Sequence, residues 1–203
     1  MQRSKVNGMT VQEALADADG DIAALVYTKE DRPDLVLWSF ARHLADAGRR
    51  PCGLIQFRDR SRGGSPGRVL IVENWQVVDV ANKRGATGDG QCRLDADWLD
   101  RMGAQAVASI RRGVDAVIVN RFGPLEANGR GFSAAITAAS ETRTPLIVAV
   151  PEFEFRRWTR FSSGMTVKLS CDIDKALDWW RRISSCASSV AGSSASSSEV
   201  HGA

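Results

Sequence analysis

The sequence predicts a three-layer α/β domain with a mostly parallel sheet, and three observations carry that expectation. Val114 to Val119 is a nearly uninterrupted β-branched and apolar run, the pattern of a strand buried on both faces. Similar runs at Asp21 to Tyr27, Cys52 to Phe57 and Thr144 to Val150 alternate with stretches whose apolar residues recur at helical spacing. The stretch from the first run to the second has the size of a right-handed β-α-β crossover.

In chain order, the first twenty residues are polar, with at most a short helix around Val11 to Ala18. The strand Asp21 to Tyr27 leads into a loop, Thr28 to Pro33. A helix follows, with Leu37, Phe40, Ala41, Leu44 and Ala45 on one face, and it ends at Gly48 before Pro51 restarts the chain. After the strand Cys52 to Phe57 comes a basic loop, RDRSRGGSPG. Arg68 to Trp75 and Gln76 to Val80 then read as a hairpin at the sheet edge. Asn82 to Gln91 is a second glycine-rich loop.

Asp95 is placed to cap a helix whose buried stripe is Leu99, Met102, Ala106 and Ile110, closed by Gly113. The strand Val114 to Val119 meets the turn-forming cluster Asn120 to Pro124, and a helix is expected from Leu125 to Thr142. The strand Thr144 to Val150, an amphipathic segment Phe153 to Phe161, and a short strand Met165 to Leu169 follow. A last helix, Asp172 to Ile183, turns Ile173, Leu177, Trp180 and Ile183 inward. These boundaries give a polar lead over 1–20, a single α/β domain over 21–183, and a Ser-rich tail over 184–203. The tail is expected to stay disordered because it has little to bury.

Composition narrows the function. At 203 residues, 43% hydrophobic and 25% charged, the chain has the profile of one globular domain. A net charge of +3 is too small to point to nucleic acid. No apolar run approaches the roughly 20 residues that cross a bilayer, and no apolar signal core opens the chain, so a cytoplasmic location without membrane insertion is expected. The four cysteines lie apart, without a CxxC or Cys/His cluster, which argues for buried thiols over a metal site. Two histidines exclude a mechanism built on several of them. His43 faces outward from its helix. Neither a cofactor nor an oligomeric state is specified, and an oligomer is compatible with the sequence.

Ligands of open α/β sheets bind beyond the carboxyl ends of the strands, and that is where Gln56, Asn120 and Arg121 fall, with Gly123 and Glu126 just after. Glu126 could act as a base or a metal ligand, or simply complement the start of a helix, where a carboxylate is favoured. Gly129 and Gly131 each cost on the order of 1 kcal/mol inside a helix, which implies close backbone packing or a ligand resting there. Phe122 reads as a core plug, and Phe153, Phe155, Trp158 and Phe161 as core or subunit contact. Arg58, Arg60, Arg62, Lys83, Arg84 and Arg93 bring cations to two glycine-bearing loops, and guanidinium forks suit oxyanions and phosphates. The loop after the first strand, YTKEDRPDL, lacks the GxxxxGK[ST] spacing in which glycines cradle phosphate and a lysine reaches its outer oxygens. Glu30 and Asp31 stand where phosphate would lie.

Taken together, AALVYTKEDRPDLVLWSFARHLADAGRRPCGLIQ, QCRLD, VNRFGPLEANGRGF, TPLIVAVPE and a closing WW resemble a bacterial family, domain of unknown function 2478, over about residues 21 to 183. The positions that match are Gln56, Cys92, Arg93, Asp95, Asn120, Phe122, Gly123, Glu126, Gly129 and Gly131. The resemblance implies a P-loop-NTPase-like fold, here without a Walker A motif. It also implies a link to molybdenum ABC transporter ATP-binding proteins, the label that members of the family carry, and so to components of molybdate uptake.

The resulting expectation is a binding protein for a small anion or nucleotide, tied to molybdenum handling and without efficient ATP hydrolysis. Its ligand-binding residues would be Gln56, Arg93, Asn120, Arg121, Gly123, Glu126 and Gly129. Two alternatives stand beside it. One is a nucleotide hydrolase or transferase using Glu126 as general base with loop arginines. The other is a protein-interaction or regulatory subunit with no ligand.

Overall fold

Alternation of side chains along the strands sets the layers. In β1 (Ile22–Tyr27), Ala23, Leu25 and Tyr27 enter one hydrophobic cluster while Ile22 and Ala24 enter another on the opposite face. The computed structural model describes residues 20–59, 65–79 and 95–193. Within them, seven strands form one sheet in the order β4-β3-β2-β5-β6-β1-β7. β2 (Pro51–Asp59), β5 (Ala116–Asn120), β6 (Leu146–Pro151), β1 and β7 (Val167–Ser170) run parallel. β3 (Ser65–Ile71) and β4 (Gln76–Asp79) add the antiparallel hairpin at one edge that the sequence predicts.

Helices cover both faces. α1 (Pro33–Asp46) and α6 (Ile173–Ser193) pack on one, through Leu37, Phe40, Leu44, Ala176 and Trp179. α2 (Ala96–Arg111), α4 (Ser133–Glu141) and α5 (Phe155–Phe161) pack on the other, through Leu99, Ile110, Ile136 and Trp158. β5 and β6 are buried along their whole length, as strands covered on both faces must be. The architecture is the predicted three-layer α/β sandwich, and it is consistent with a P-loop-NTPase-like fold. Asp95 caps α2 as expected, its Oδ1 accepting the backbone N–H of Asp97 at 2.9 Å. His43 is exposed on α1.

Three expectations require correction. The helix expected over Leu125 to Thr142 is two helices, α3 (Pro124–Ala127) and α4, separated by a loop. Gly129 and Gly131 take positive φ values of 79° and 60°, a left-handed backbone that no helix interior accommodates. The last helix runs past Ile183 to Ser193, so the backbone is helical where the composition argument expects loss of order from Ser184. Once a helix is nucleated, each added residue contributes its own backbone hydrogen bond, so the helix propagates beyond its buried stripe. Residues 194–203, and the short helix expected around Val11 to Ala18, lie outside the described residues. The inward stripe of α6 also differs. Ala176, Trp179 and Ile183 are buried, whereas Ile173, Leu177 and Trp180 are only partly covered.

Candidate functional site

Parallel register brings the strand ends together. Ile55 of β2 pairs with Asn120 of β5, Asn120 pairs with Ala149 of β6, and Tyr27 of β1 pairs with Pro151. Gln56 and Asn120 therefore meet at the carboxyl edge, where Asn120 Nδ2 donates to the Gln56 carbonyl oxygen at 3.3 Å. Asn120 is buried, and Arg121, joined to it by a cis peptide, is exposed. Among the described residues Arg121 makes no ion pair. Its charge does act on Glu126.

Beyond Arg121 the chain turns inward. Phe122 donates its backbone N–H to Ala149 and buries its ring against Trp158 and Phe161, with centroids at 5.1 and 5.3 Å. It is the core plug the sequence predicts. Of the aromatic string that follows, Trp158 is buried, Phe155 and Phe161 pack on the core, and Phe153 stands in solvent.

Glu126 sits beneath this loop and is buried. Its Oε2 accepts the Gly123 N–H at 3.0 Å, and its carboxyl group also accepts the Phe132 N–H. One side chain thus ties the start of the Gly123-to-Phe132 segment to its end. Burial pushes its pKa up to about 7 against the pull of those backbone N–H groups.

From α2, Asp100 accepts hydrogen bonds from the Arg130 guanidinium and the Gly131 N–H, while Asp97 also receives Arg130. A Cβ on Gly103 would stand 2.2 Å from the Gly131 carbonyl oxygen, so α2 and the loop touch backbone to backbone. Gly131 is accordingly packed closely against α2. Replacing Asp100 with alanine should speed amide exchange at Gly131 and neighbouring loop positions while leaving β5 and β6 protected, as hydrogen exchange would show.

The loop after β1 is closed on itself. Asp31 Oδ2 accepts both the Thr28 backbone N–H, at 2.7 Å, and the Thr28 hydroxyl, at 2.9 Å. Arg32 grips the buried Asp34 with two hydrogen bonds of 3.0 and 2.8 Å. Carboxylates of the chain itself thus take the Thr28 N–H and hydroxyl and the Arg32 guanidinium, donors that a phosphate would otherwise compete for.

This closure falls at the most significant position of the sheet. The crossover from β1 leaves over one face through α1, and that from β6 leaves over the other through α5, so the topological switch point lies between them. Glu152 and Glu154 follow β6 there, adding to the negative charge, with Glu154 held by Arg157 at 3.0 Å. The sequence shows the carboxylates but not which strands they separate.

Residues 22–179 match a family profile described as a protein of unknown function (DUF2478). The chain belongs to that DUF2478 family. It is also 30% identical over 166 residues to the molybdenum import ATP-binding protein ModC 2 of Bradyrhizobium diazoefficiens, a match covering 81% of this chain and 18% of that relative. The chain thus spans about a fifth of the length of the curated relative it matches. No solved structure matches it.

In this DUF2478 domain, then, Gln56, Asn120, Arg121, Gly123 and Glu126 share the carboxyl edge, whereas Gly129 lies exposed on the loop that α2 pins. Arg93 and Cys92 lie outside the described residues, as do Arg60, Arg62, Lys83 and Arg84 and the side chain of Arg58. The closure of Asp31 onto Thr28, and the roles of Asp100 and Gly103, escape sequence reasoning. The Thr28-x-x-Asp31 spacing is a signal for the first, while the other two act across elements distant in the chain. Among the described residues no group of His, Cys, Asp and Glu could hold a metal ion, and no helix is long and apolar enough to cross a membrane. Burial pushes the Cys52 and Cys171 thiols up to about 12, so neither is a poised nucleophile.

Proposed function

We propose that this domain binds a small oxyanion or a nucleotide at the carboxyl edge of β2 and β5 without efficient ATP hydrolysis, as an accessory to molybdate import in the cytoplasm. The observation that carries the reading is the contrast between two strand ends on the same edge of the sheet, those of β1 and β5, with β6 between them. At β1 the loop is sealed by Asp31 and flanked by carboxylates, while at β5 the exposed Arg121 stands beside Asn120 and Gln56. Phosphoryl transfer rests on positioning and on neutralising phosphate charge, and a loop whose donors already bind a carboxylate supplies neither. A guanidinium with free donors can still hold an anion in its ground state. Similarity to a molybdenum import ATP-binding protein supports the choice of oxyanion and the association with a transport system.

Thermal denaturation in molybdate, tungstate, sulfate, ATP and GTP tests this directly, because a ligand that binds the folded state raises Tm. At least one of these should stabilise the protein, and Arg121→Ala should weaken that binding by about 1.5–3 kcal/mol, the value of a hydrogen bond to a charged group. Mg²⁺-dependent ATP turnover abolished by Glu126→Gln would replace this reading with the enzyme.

An interaction module is favoured by a different observation: Leu35, Trp38 and Phe153 are exposed, Phe153 by 83%. No shift with any anion, together with co-purification of the import ATPase, would select it.

A further inference from the structure

The other end of the sheet, at the amino ends of β2 and β5, holds a cavity of about 310 Å³ between the ends of α1 and α2 and the β3–β4 turn. Arg49, Arg50 and Arg112 line it against a single lining carboxylate, Glu73, and Trp75 and Val72 give it an apolar wall. Asp115 stands behind two of the arginines. Its Oδ2 accepts the Arg50 backbone N–H at 2.7 Å and lies 3.7 Å from Arg50 Nε, while Oδ1 lies 3.6 Å from Arg49 Nη1. One carboxylate thus orients two guanidinium groups at ion-pair distance without engaging their forks. Arg112 donates from Nη2 to Ser109 Oγ at 2.8 Å. Among the described residues, these contacts leave each of the three with N–H donors for a further acceptor.

A cation at a helix carboxyl end complements the dipole, which accounts for the residue type at these positions. It does not account for their convergence on one cavity, nor for Trp75. That residue has φ of 57° in the β3–β4 turn, where glycine or asparagine would sit with little strain and a bulky side chain is an outlier. Strain of this kind persists at ligand clamps, where the side chain is needed in place. Here it sets an indole on the cavity wall, with the Arg42 guanidinium 5.6 Å from the ring centroid.

We propose that this cavity is a second binding site, for a small organic anion carrying a phosphate or carboxylate group on a flat ring. The guanidinium forks take the anionic group and Trp75 takes the ring. The volume lies at the lower end of the roughly 300–1,000 Å³ usual for small-molecule sites. A neighbouring cavity of about 460 Å³ shares Glu73, Ser109 and Arg112 and leaves room for a polar extension. The site is at the opposite ends of the strands from Arg121, so mutation separates the two.

Calorimetric titration with phenyl phosphate, benzoate and AMP, set against inorganic phosphate and adenosine, tests the proposal. At least one ring-bearing anion should bind, roughly tenfold or more tighter than either inorganic phosphate or adenosine, since both halves of the site contribute. Arg50→Ala, at a side chain 72% exposed and so free to change without unfolding, should weaken binding by about tenfold or more. Trp75→Gly relieves the left-handed backbone but removes an indole packed on the core, so Tm should fall modestly with the fold retained, and binding should weaken by a similar factor. Arg121→Ala should leave this binding intact. Failure of all three ring-bearing anions to bind, undiminished binding in both Arg50→Ala and Trp75→Gly, or loss of binding in Arg121→Ala would overturn it.

Discussion

Replacing Gly53 with alanine should prevent the protein from accumulating in folded form. Gly53 lies in β2 with φ of 122°, and an added Cβ would stand 2.0 Å from the Ile118 carbonyl oxygen and 2.9 Å from its carbonyl carbon. Both obstacles belong to the backbone of β5, the fully buried strand beside it. No side-chain rotation relieves the clash. Either β2 and β5 separate, breaking the register from Pro51–Ala116 to Ile55–Asn120, or the strand slips and turns its core residues outward. The expected loss exceeds about 4 kcal/mol, against a total stability on the order of 5–15 kcal/mol for a domain of this kind. Soluble yield and far-ultraviolet circular dichroism measure it. A Gly53→Ala protein melting within a few degrees of the wild type would mean that β2 and β5 do not approach so closely.

The second large effect is a pH dependence carried by Glu126. Burial raises its pKa from 4.5 to about 7, so the folded chain holds the proton more tightly than the unfolded chain across that window. Stability should therefore fall as pH rises from about 4.5 to 7, and the contribution should be constant below and above that range. At 1.36 kcal/mol per unit, the gap sets a ceiling of roughly 3 kcal/mol. Glu126→Gln should remove this component, visible as a flatter difference in urea midpoint between pH 5 and pH 8. It should also cost about 1–3 kcal/mol in its own right, because one carboxyl oxygen becomes an NH2 donor, which cannot accept a backbone N–H. Identical pH profiles for the variant and the wild type would show that Glu126 is not the buried tie described above. A carboxyl group titrating near neutrality suits a general base. This one directs its oxygens to the backbone of its own loop, and a Cβ on Gly131 would meet Oε1 at 2.6 Å.

The amino-acid sequence by itself determined the layers of this protein. Two-sided burial leaves a nearly uninterrupted apolar run, as in Val114 to Val119 and Thr144 to Val150, and a covered helix leaves a stripe, as in Leu37, Phe40, Ala41 and Leu44. Those periodicities are local, so they survive in one dimension. The edge hairpin and the Asp95 cap were legible for the same reason, since turn and cap chemistry acts over a few residues.

The tertiary structure alone decided what the motif residues do. Gly131 is compatible with either a ligand or close packing by sequence, and its packing rests on Asp100 and Gly103, which approach it only after folding. The order β2-β5-β6-β1-β7 likewise decided that the switch point falls at the sealed, acidic β1 loop, one strand away from Asn120. Burial of Glu126 and convergence of Arg49, Arg50 and Arg112 beside Trp75 are juxtapositions of distant segments. Charge, spacing and propensity describe what each segment can do alone. Which groups share a low-dielectric site is set by packing, and that is where their chemistry is fixed.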